Sequence, residues 1–447
     1  MSFNKKFILR SGSFSSLEVL SNQILGLASF FILVRVMTKE EFGIWVLYIS
    51  TTTFLEQARV GFLKNGFIKY LTGADDESAG EIFTASLLLN LISFLITSLI
   101  CILFGYYIGP VAWKADILKP MFLLYIPYSF LLTFYLQFKM VEQAHMDFKG
   151  SFLTALFRRL FFIAAIIIFI SFGYSFDLIT LVMLNLVSIG LGVLAAYLLA
   201  RNRFVSWGQL KKQWLVKLTS FGFYTFGTSI GATLIHNIDQ FMLGTFSNKV
   251  YLALYNTAIR ITNLIDIPTN AMSSIVYPKG VMLAKHDKRI ELKEMYEQSL
   301  GIIFVFVLPI VLVILIIPEF FILIIAGKGY LDTVPYLRIT ILFSLFVPFI
   351  RQGGIVLDSM GMPKINFFLT LFSAITNVLF NLVFIKNFGP IGAAYGTLCA
   401  YAIMIIVNQV FLYRFLDVRL SEIMFYFFKY YQFGFKWLYK ILKARFI

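Results

Sequence analysis

Two ionisable groups stand inside a stretch apolar enough to cross a bilayer. Residues 221–246, FGFYTFGTSIGATLIHNIDQFMLGTF, carry His236 and Asp239 well within it, and a charge at mid-membrane costs about 3 kcal/mol. At about 100° per residue, Thr225, Ser229, Thr233, His236, Asp239 and Gln240 fall within one arc roughly 120° wide, with Gly227 and Gly231 on the far side. One face is therefore expected to be wet and the other to pack. A short turn, SNKV, leads into a second span in which Asn256, Arg260, Asn263 and Asn270 share a face. A helical hairpin with two inward polar stripes predicts a water-filled cavity near the membrane midplane rather than an anchor.

The remaining intramembrane charges extend that pattern. Arg59, Arg158, Arg260 and Arg351 sit roughly 9 to 13 Å from the nearest span end at 1.5 Å per residue, too deep for easy snorkelling. Each either lines the cavity and binds an anionic substrate or completes an ion pair. The available partners are Glu56 for Arg59, Asp358 for Arg351 and Asp239 for Arg260. Arg35, Lys64, Lys139 and Arg338 lie near span ends, where snorkelling to headgroups is the default. Glu18 is either an inter-helix hydrogen-bonding group or, with Glu56, Asp239 and Asp358, a candidate for coupling to an ion. Asn377 and Asn381 continue a polar stripe that serves equally as helix glue or ligand contact.

Catalytic chemistry is not written in this chain. It has three histidines, His145, His236 and His286, and no phosphate-binding loop or metal-ligand spacing. Cys101 and Cys399 lie deep in spans of opposite halves and imply neither a disulfide nor a metal. An enzyme is not expected, and neither is a cofactor.

The elements that must position these groups follow from composition. Of 447 residues, 59% are hydrophobic and 14% charged, and the mean hydropathy of +0.83 excludes an ordinary soluble protein. With roughly 20 residues per crossing, about twelve helices are expected, making an all-α polytopic membrane protein. The net charge of +15 does not point to nucleic acid, because the basic residues follow the membrane. Only Lys39, Lys114, Lys119, Lys249, Lys328 and Lys386 fall in segments placed outside. Apart from the arginines within spans, the others cluster in the alternate segments, so both termini are expected in the cytoplasm. The N-terminal MSFNKKFILR runs into a segment too long and polar for a cleavable signal.

The halves repeat. FLT at 152–154 recurs at 368–370 and Phe172-Gly173 recurs at Phe388-Gly389, both 216 residues on. Pro127 and Pro348 interrupt the fourth and tenth spans. The expected organisation is a six-helix lobe at 1–204 and its parallel repeat at 219–415, around a central cavity. A basic linker at 205–218 is expected to lie on the inner leaflet. The aromatic, basic tail at 416–447 reads as an interfacial helix or a re-entrant segment.

Four stretches together carry a family resemblance: LVRVMTKEEFGIW, IDQFMLGTF with VYLALYNTAIRI, LDSMGMPKINF and FGPIGAAYGTL. In order and spacing over residues 10 to 415 the chain resembles Wzx-type oligosaccharide flippases of the multidrug/oligosaccharidyl-lipid/polysaccharide exporter superfamily. That resemblance implies a V-shaped pair of lobes with a cationic cavity. It implies a substrate, undecaprenyl-diphosphate-linked oligosaccharide moved from inner to outer leaflet of the bacterial cytoplasmic membrane, as for O-antigen or capsule. A coupling ion, H+ or Na+, is a further expected partner. Two alternatives stay open, an ion-coupled drug or cation antiporter of the same superfamily and a membrane glycan polymerase or ligase.

Overall fold

Capping residues set the frame. In the computed structural model, which describes residues 5–173, 176–201 and 207–445, Thr38 and Glu41 form a reciprocal capping box at the start of a helix. The Glu41 N–H donates to Thr38 Oγ1 at 3.2 Å, and the Thr38 N–H donates to Glu41 Oε2 at 2.9 Å. Asp75, Asp147 and Asp177 cap three later helices in the same way, accepting from the N–H groups of Ser78, Gly150 and Thr180. Asp177 lies outside the apolar segments, and its hydrogen bonds to Thr180 hold its carboxyl below the usual range.

The described residues form α-helices and short helical turns, with no strand among them. Contacts divide the chain into two compact units, 1–250 and 251–447. The first contains α1 (Lys5–Val36), α2 (Lys39–Leu71), α3 (Asp76–Leu103), α4 (Leu118–Ala144), α5 (Phe148–Ser171), α6 (Leu178–Ala200) and α7 (Lys212–Phe246). The second begins within α8 (Lys249–Asn263) and continues through α9 (Asp266–Lys285), α10 (Arg289–Ile316), α11 (Pro318–Ile325) and α12 (Val334–Phe343). It ends with α13 (Val347–Ser359), α14 (Pro363–Phe388), α15 (Gly392–Leu416) and α16 (Leu420–Arg445). Eight segments of the described chain are long and apolar enough to cross a membrane, the last of them holding both α14 and α15. This is an integral membrane protein. The expected count of about twelve crossings is finer than this; α2, α7 and the α8–α9 pair, dense in polar groups, fall outside the eight.

Proline explains two breaks. Pro268 has no N–H to give to the carbonyl of Leu264, and α8 stops at Asn263; Pro348 cannot serve Ser344, and α12 stops at Phe343. Pro127 leaves α4 unbroken. The stripe expected to run from Asn256 to Asn270 is consequently split: Asn256 is buried, Arg260 and Asn263 are exposed, and Asn270 belongs to α9.

In the first unit α7 runs along α2. Gly61 faces Ser229, the Gly222 backbone meets the Phe62 carbonyl, and Ser50 Oγ donates to Gln240 Oε1 at 2.6 Å. Ser229 and Gln240 of the polar stripe thus pack against a neighbour. Gly227 and Gly231 have nothing within 4 Å of where a Cβ would stand. The expectation of a wet polar face and a packed glycine face is reversed here, because serine and glutamine serve as inter-helix hydrogen-bonding groups where small residues let backbones approach. Asp239 is buried beside Gln240, whose N–H donates to its carboxylate at 2.8 Å. The side chain of His236 lies outside the described residues.

The described part of the linker is not a separate surface helix. Residues 207–210 have no regular secondary structure and 212 onward is the start of α7. Gly208 and Thr84 exchange two hydrogen bonds, the Trp214 indole donates to Glu81 Oε2 at 2.9 Å, and Lys211 pairs with Glu81. That pairing holds the Lys211 ammonium above its ordinary value. The tail likewise has a partner inside its own unit: α16 packs along α10, with Tyr426 and Phe427 against Gly301 and Ile423 buried. The Arg419 N–H donates to Glu297 Oε1 at 3.0 Å.

Candidate functional site

Arg59, on α2, is 2% exposed and carries its charge into the middle of the first unit. Its guanidinium donates to Ser129 Oγ, Asn90 Oδ1 and Thr133 Oγ1, each at 2.8 Å, and to the Ser129 carbonyl at 3.1 Å. Asn90 is on α3 and the other two lie one turn apart on α4, so one side chain ties three helices. Its hydrogen-bond partners are neutral, and the expected ion pair with Glu56 is not among its hydrogen bonds. Nε has no partner among the described residues.

Glu56 acts electrostatically on Tyr128, and the Tyr128 hydroxyl receives a hydrogen bond from Arg158 of α5. Arg158 also lies 5.1 Å from the Tyr135 ring centroid, a cation–π distance. Gly192 of α6 meets the stem of Arg158, where a Cβ would stand 3.2 Å away. Arg159 is electrostatically coupled to Arg158.

A third cluster joins α1, α4 and α5. Lys139 Nζ donates to Glu18 Oε1 at 2.6 Å and Ser151 Oγ donates to Glu18 Oε2 at 3.0 Å. The Gln143 amide donates to Ser151 Oγ at 3.0 Å. Lys139 was expected to snorkel, but a carboxylate on another helix holds it inside. Between α2 and α4, Arg59, Lys64, Lys139 and Gln143 line a cavity of about 80 Å³. Lys64 makes no side-chain hydrogen bond to a described residue, and it feels the charges of Lys139 and Glu18. Glu142, fully buried, accepts from Thr154 Oγ1 at 3.3 Å. These clusters together hold five cations, Arg59, Lys64, Lys139, Arg158 and Arg159, and three carboxylates, Glu18, Glu56 and Glu142.

The second unit has a smaller set. Arg351 on α13 donates to Asn270 and, at 3.4 Å, to Asp266 Oδ2, both on α9. The expected pairing of Arg351 with Asp358 is corrected: Asp358 Oδ2 accepts from Asn366 Nδ2 at 2.9 Å. Seven residues along α13 put the two roughly 10 Å apart, while α9 lies alongside. Asn377, Asn381 and Thr397 are buried together between α14 and α15. Arg338 meets Glu319 at the surface.

A family model described as polysaccharide biosynthesis protein matches residues 32–335. The chain belongs to that family. Two curated relatives align with about half of it. The Uncharacterized membrane protein MJ1068 of Methanocaldococcus jannaschii is 24% identical over 50% of this chain and 45% of its own length. The probable low-salt glycan biosynthesis flippase Agl15 of Haloferax volcanii is 21% identical over 45% and 43%. Each alignment thus spans less than half of the relative.

Among solved structures, an inward-facing multidrug resistance transporter of the MATE family and MOP superfamily matches with a TM-score of 0.77. It is 17% identical, over 88% of this chain and 93% of that one. The lipid II flippase MurJ, in an inward closed conformation, matches with a TM-score of 0.75 at 15% identity, over 93% and 90%. This member of the polysaccharide biosynthesis family therefore has the fold of these solved transporters.

Sequence reading missed the neutral half of these clusters. Asn90, Ser129, Thr133, Tyr128 and Ser151 are ordinary helix residues until the bundle closes. The one available signal was local: Ser129 and Thr133 stand four apart on one face of an apolar span.

Proposed function

We propose that this protein is a flippase that moves a polyprenyl-diphosphate-linked oligosaccharide across the bacterial cytoplasmic membrane by alternating access, with both termini cytoplasmic. The observation that carries this reading is the excess of cations over carboxylates on α2, α4 and α5 of the first unit. A diphosphate cannot enter hydrocarbon unpaired, and arginine and lysine lower that barrier by charge-assisted hydrogen bonds. Family membership and the partial match to a glycan flippase support the same substrate class.

Two six-helix lobes at 1–204 and 219–415, related by a parallel repeat and together giving twelve crossings, belong to this reading. Helix starts support it: Lys39 and Lys249, Asp76 and Arg289, Leu118 and Val334, Phe148 and Pro363, Leu178 and Gly392 are each 210 to 216 residues apart. Arg158, Arg351, Arg260, His236, Asn256 and Asn263 are the remaining substrate candidates, and Glu18, Glu56, Asp239 and Asp358 the coupling candidates.

A drug or cation antiporter would need the opposite charge balance. The two readings separate in cells whose own glycan flippase is deleted. Surface glycan should return when this chain is expressed, with no gain in resistance to cationic drugs. Resistance without surface glycan would reverse the assignment.

A further inference from the structure

The Glu18 cluster has the form of a site whose anion is supplied by the protein itself. Glu18 on α1 lies between Lys139 on α4 and Ser151 on α5, with one carboxylate oxygen to each. Around it the cations are in surplus. Lys64 on α2 makes no side-chain hydrogen bond to a described residue, and Arg59, almost fully buried, keeps one N–H without a partner among the described residues. Both line the same cavity as Lys139, and its 80 Å³ exceeds the space that a single water needs. The Glu18 carboxylate has one negative charge, which attracts Lys64 from a distance but makes contact only with Lys139 among these cations. A diphosphate brings more charge and more acceptor oxygens to the same wall.

We propose that Glu18 is a built-in stand-in for a phosphoryl group: it holds Lys139 until a diphosphate displaces it and takes Lys139, Lys64 and the free N–H of Arg59 together. This rests on reading the chain as a carrier of a diphosphate-linked glycan. Displacement leaves the Glu18 carboxylate with the Ser151 hydroxyl and whatever water reaches it, since its side chain is 17% exposed. The exchange replaces one ion pair with another, so Lys139 is never left buried and unpaired, the state that makes a broken pair so unfavourable. The same exchange frees α1 from α4, giving substrate arrival a mechanical consequence within the first unit.

Titration of the purified full-length chain in detergent with inorganic pyrophosphate tests this. Glu18→Gln removes the competitor and should tighten binding at least tenfold; Lys64→Gln or Lys139→Gln added to it should abolish the gain. Arg338→Gln, a cation removed from the second unit, should change nothing. No tightening in Glu18→Gln, or a gain that persists without Lys64, would overturn the proposal.

Should Glu18→Gln fail to fold, a second measurement keeps Glu18 in place. In a chain carrying Cys101→Ser and Cys399→Ser, pyrophosphate should slow alkylation of Gln143→Cys, and absence of protection counts against the site. Export is scored separately. The expected binding pattern in a chain that restores no surface glycan would keep the anion site and remove the flippase reading, whereas export without the pattern would do the opposite.

Discussion

At the scale of residues, the deep arginines divide into clamps and candidates. Arg59 is a clamp with one N–H to spare: its other donors satisfy Asn90, Ser129 and Thr133 on two other helices. Arg59→Ala would orphan those groups, and breaking such a buried charged network costs about 3 to 5 kcal/mol. The melting temperature in detergent should fall sharply, and export with it; an unchanged melting temperature would show that the network contributes nothing. Arg260 is exposed on α8, and under the proposed function Arg260→Ala should lose export in a chain that still folds. Arg260→Lys should recover only part of it, because a point charge lacks the planar fork that grips phosphate oxygens. If Arg260 only balances Asp239, neutralising both should restore transport.

Among the elements, α16 departs furthest from a detachable tail. Its backbone approaches α10 at Gly301, where a Cβ would stand 2.7 Å from the Cβ of Tyr426 and 3.0 Å from the Phe427 nitrogen. Gly301→Val should lever α16 off α10, seen as faster amide hydrogen exchange across 420–432 with α14 and α15 unchanged. Exchange that stays slow would mean another contact holds the helix.

Asp417, at the corner before α16, is held below the usual carboxylate range by its hydrogen bond to Arg419. A depressed folded pKa contributes stability that is present above the unfolded value of about 4 and lost as pH falls through the folded one. Acidification below about pH 4 should therefore loosen this corner, and Asp417→Asn should remove that dependence. The same pH profile in wild type and variant would assign the loosening to another carboxylate.

For the whole molecule, the proposed orientation rests on where charge sits along the chain. Lysine and arginine crowd alternate connecting segments, and thiol reagents that cannot cross the membrane should fail to label cysteines placed at residues 2 and 446 in intact cells. Labelling at either terminus would overturn the orientation. Much of this architecture was legible without coordinates. Mean hydropathy requires a membrane protein, because 59% hydrophobic residues cannot be buried in a soluble core, and proline and capping residues mark helix ends through hydrogen bonds that a single chain segment makes or loses.

What the sequence could not decide was which polar residue meets which. Helical periodicity put Thr225, Ser229 and Gln240 on one face, but whether that face meets water or α2 depends on a helix some 180 residues away. Arg351 has Asp358 on its own helix and Asp266 on another, and only packing chooses Asp266. Lys139 resembled a snorkelling lysine until Glu18, from 121 positions earlier, was brought against it. Local composition determines which segments leave water; partners far apart in sequence are chosen only when the bundle closes, because only then does an unpaired buried group become costly.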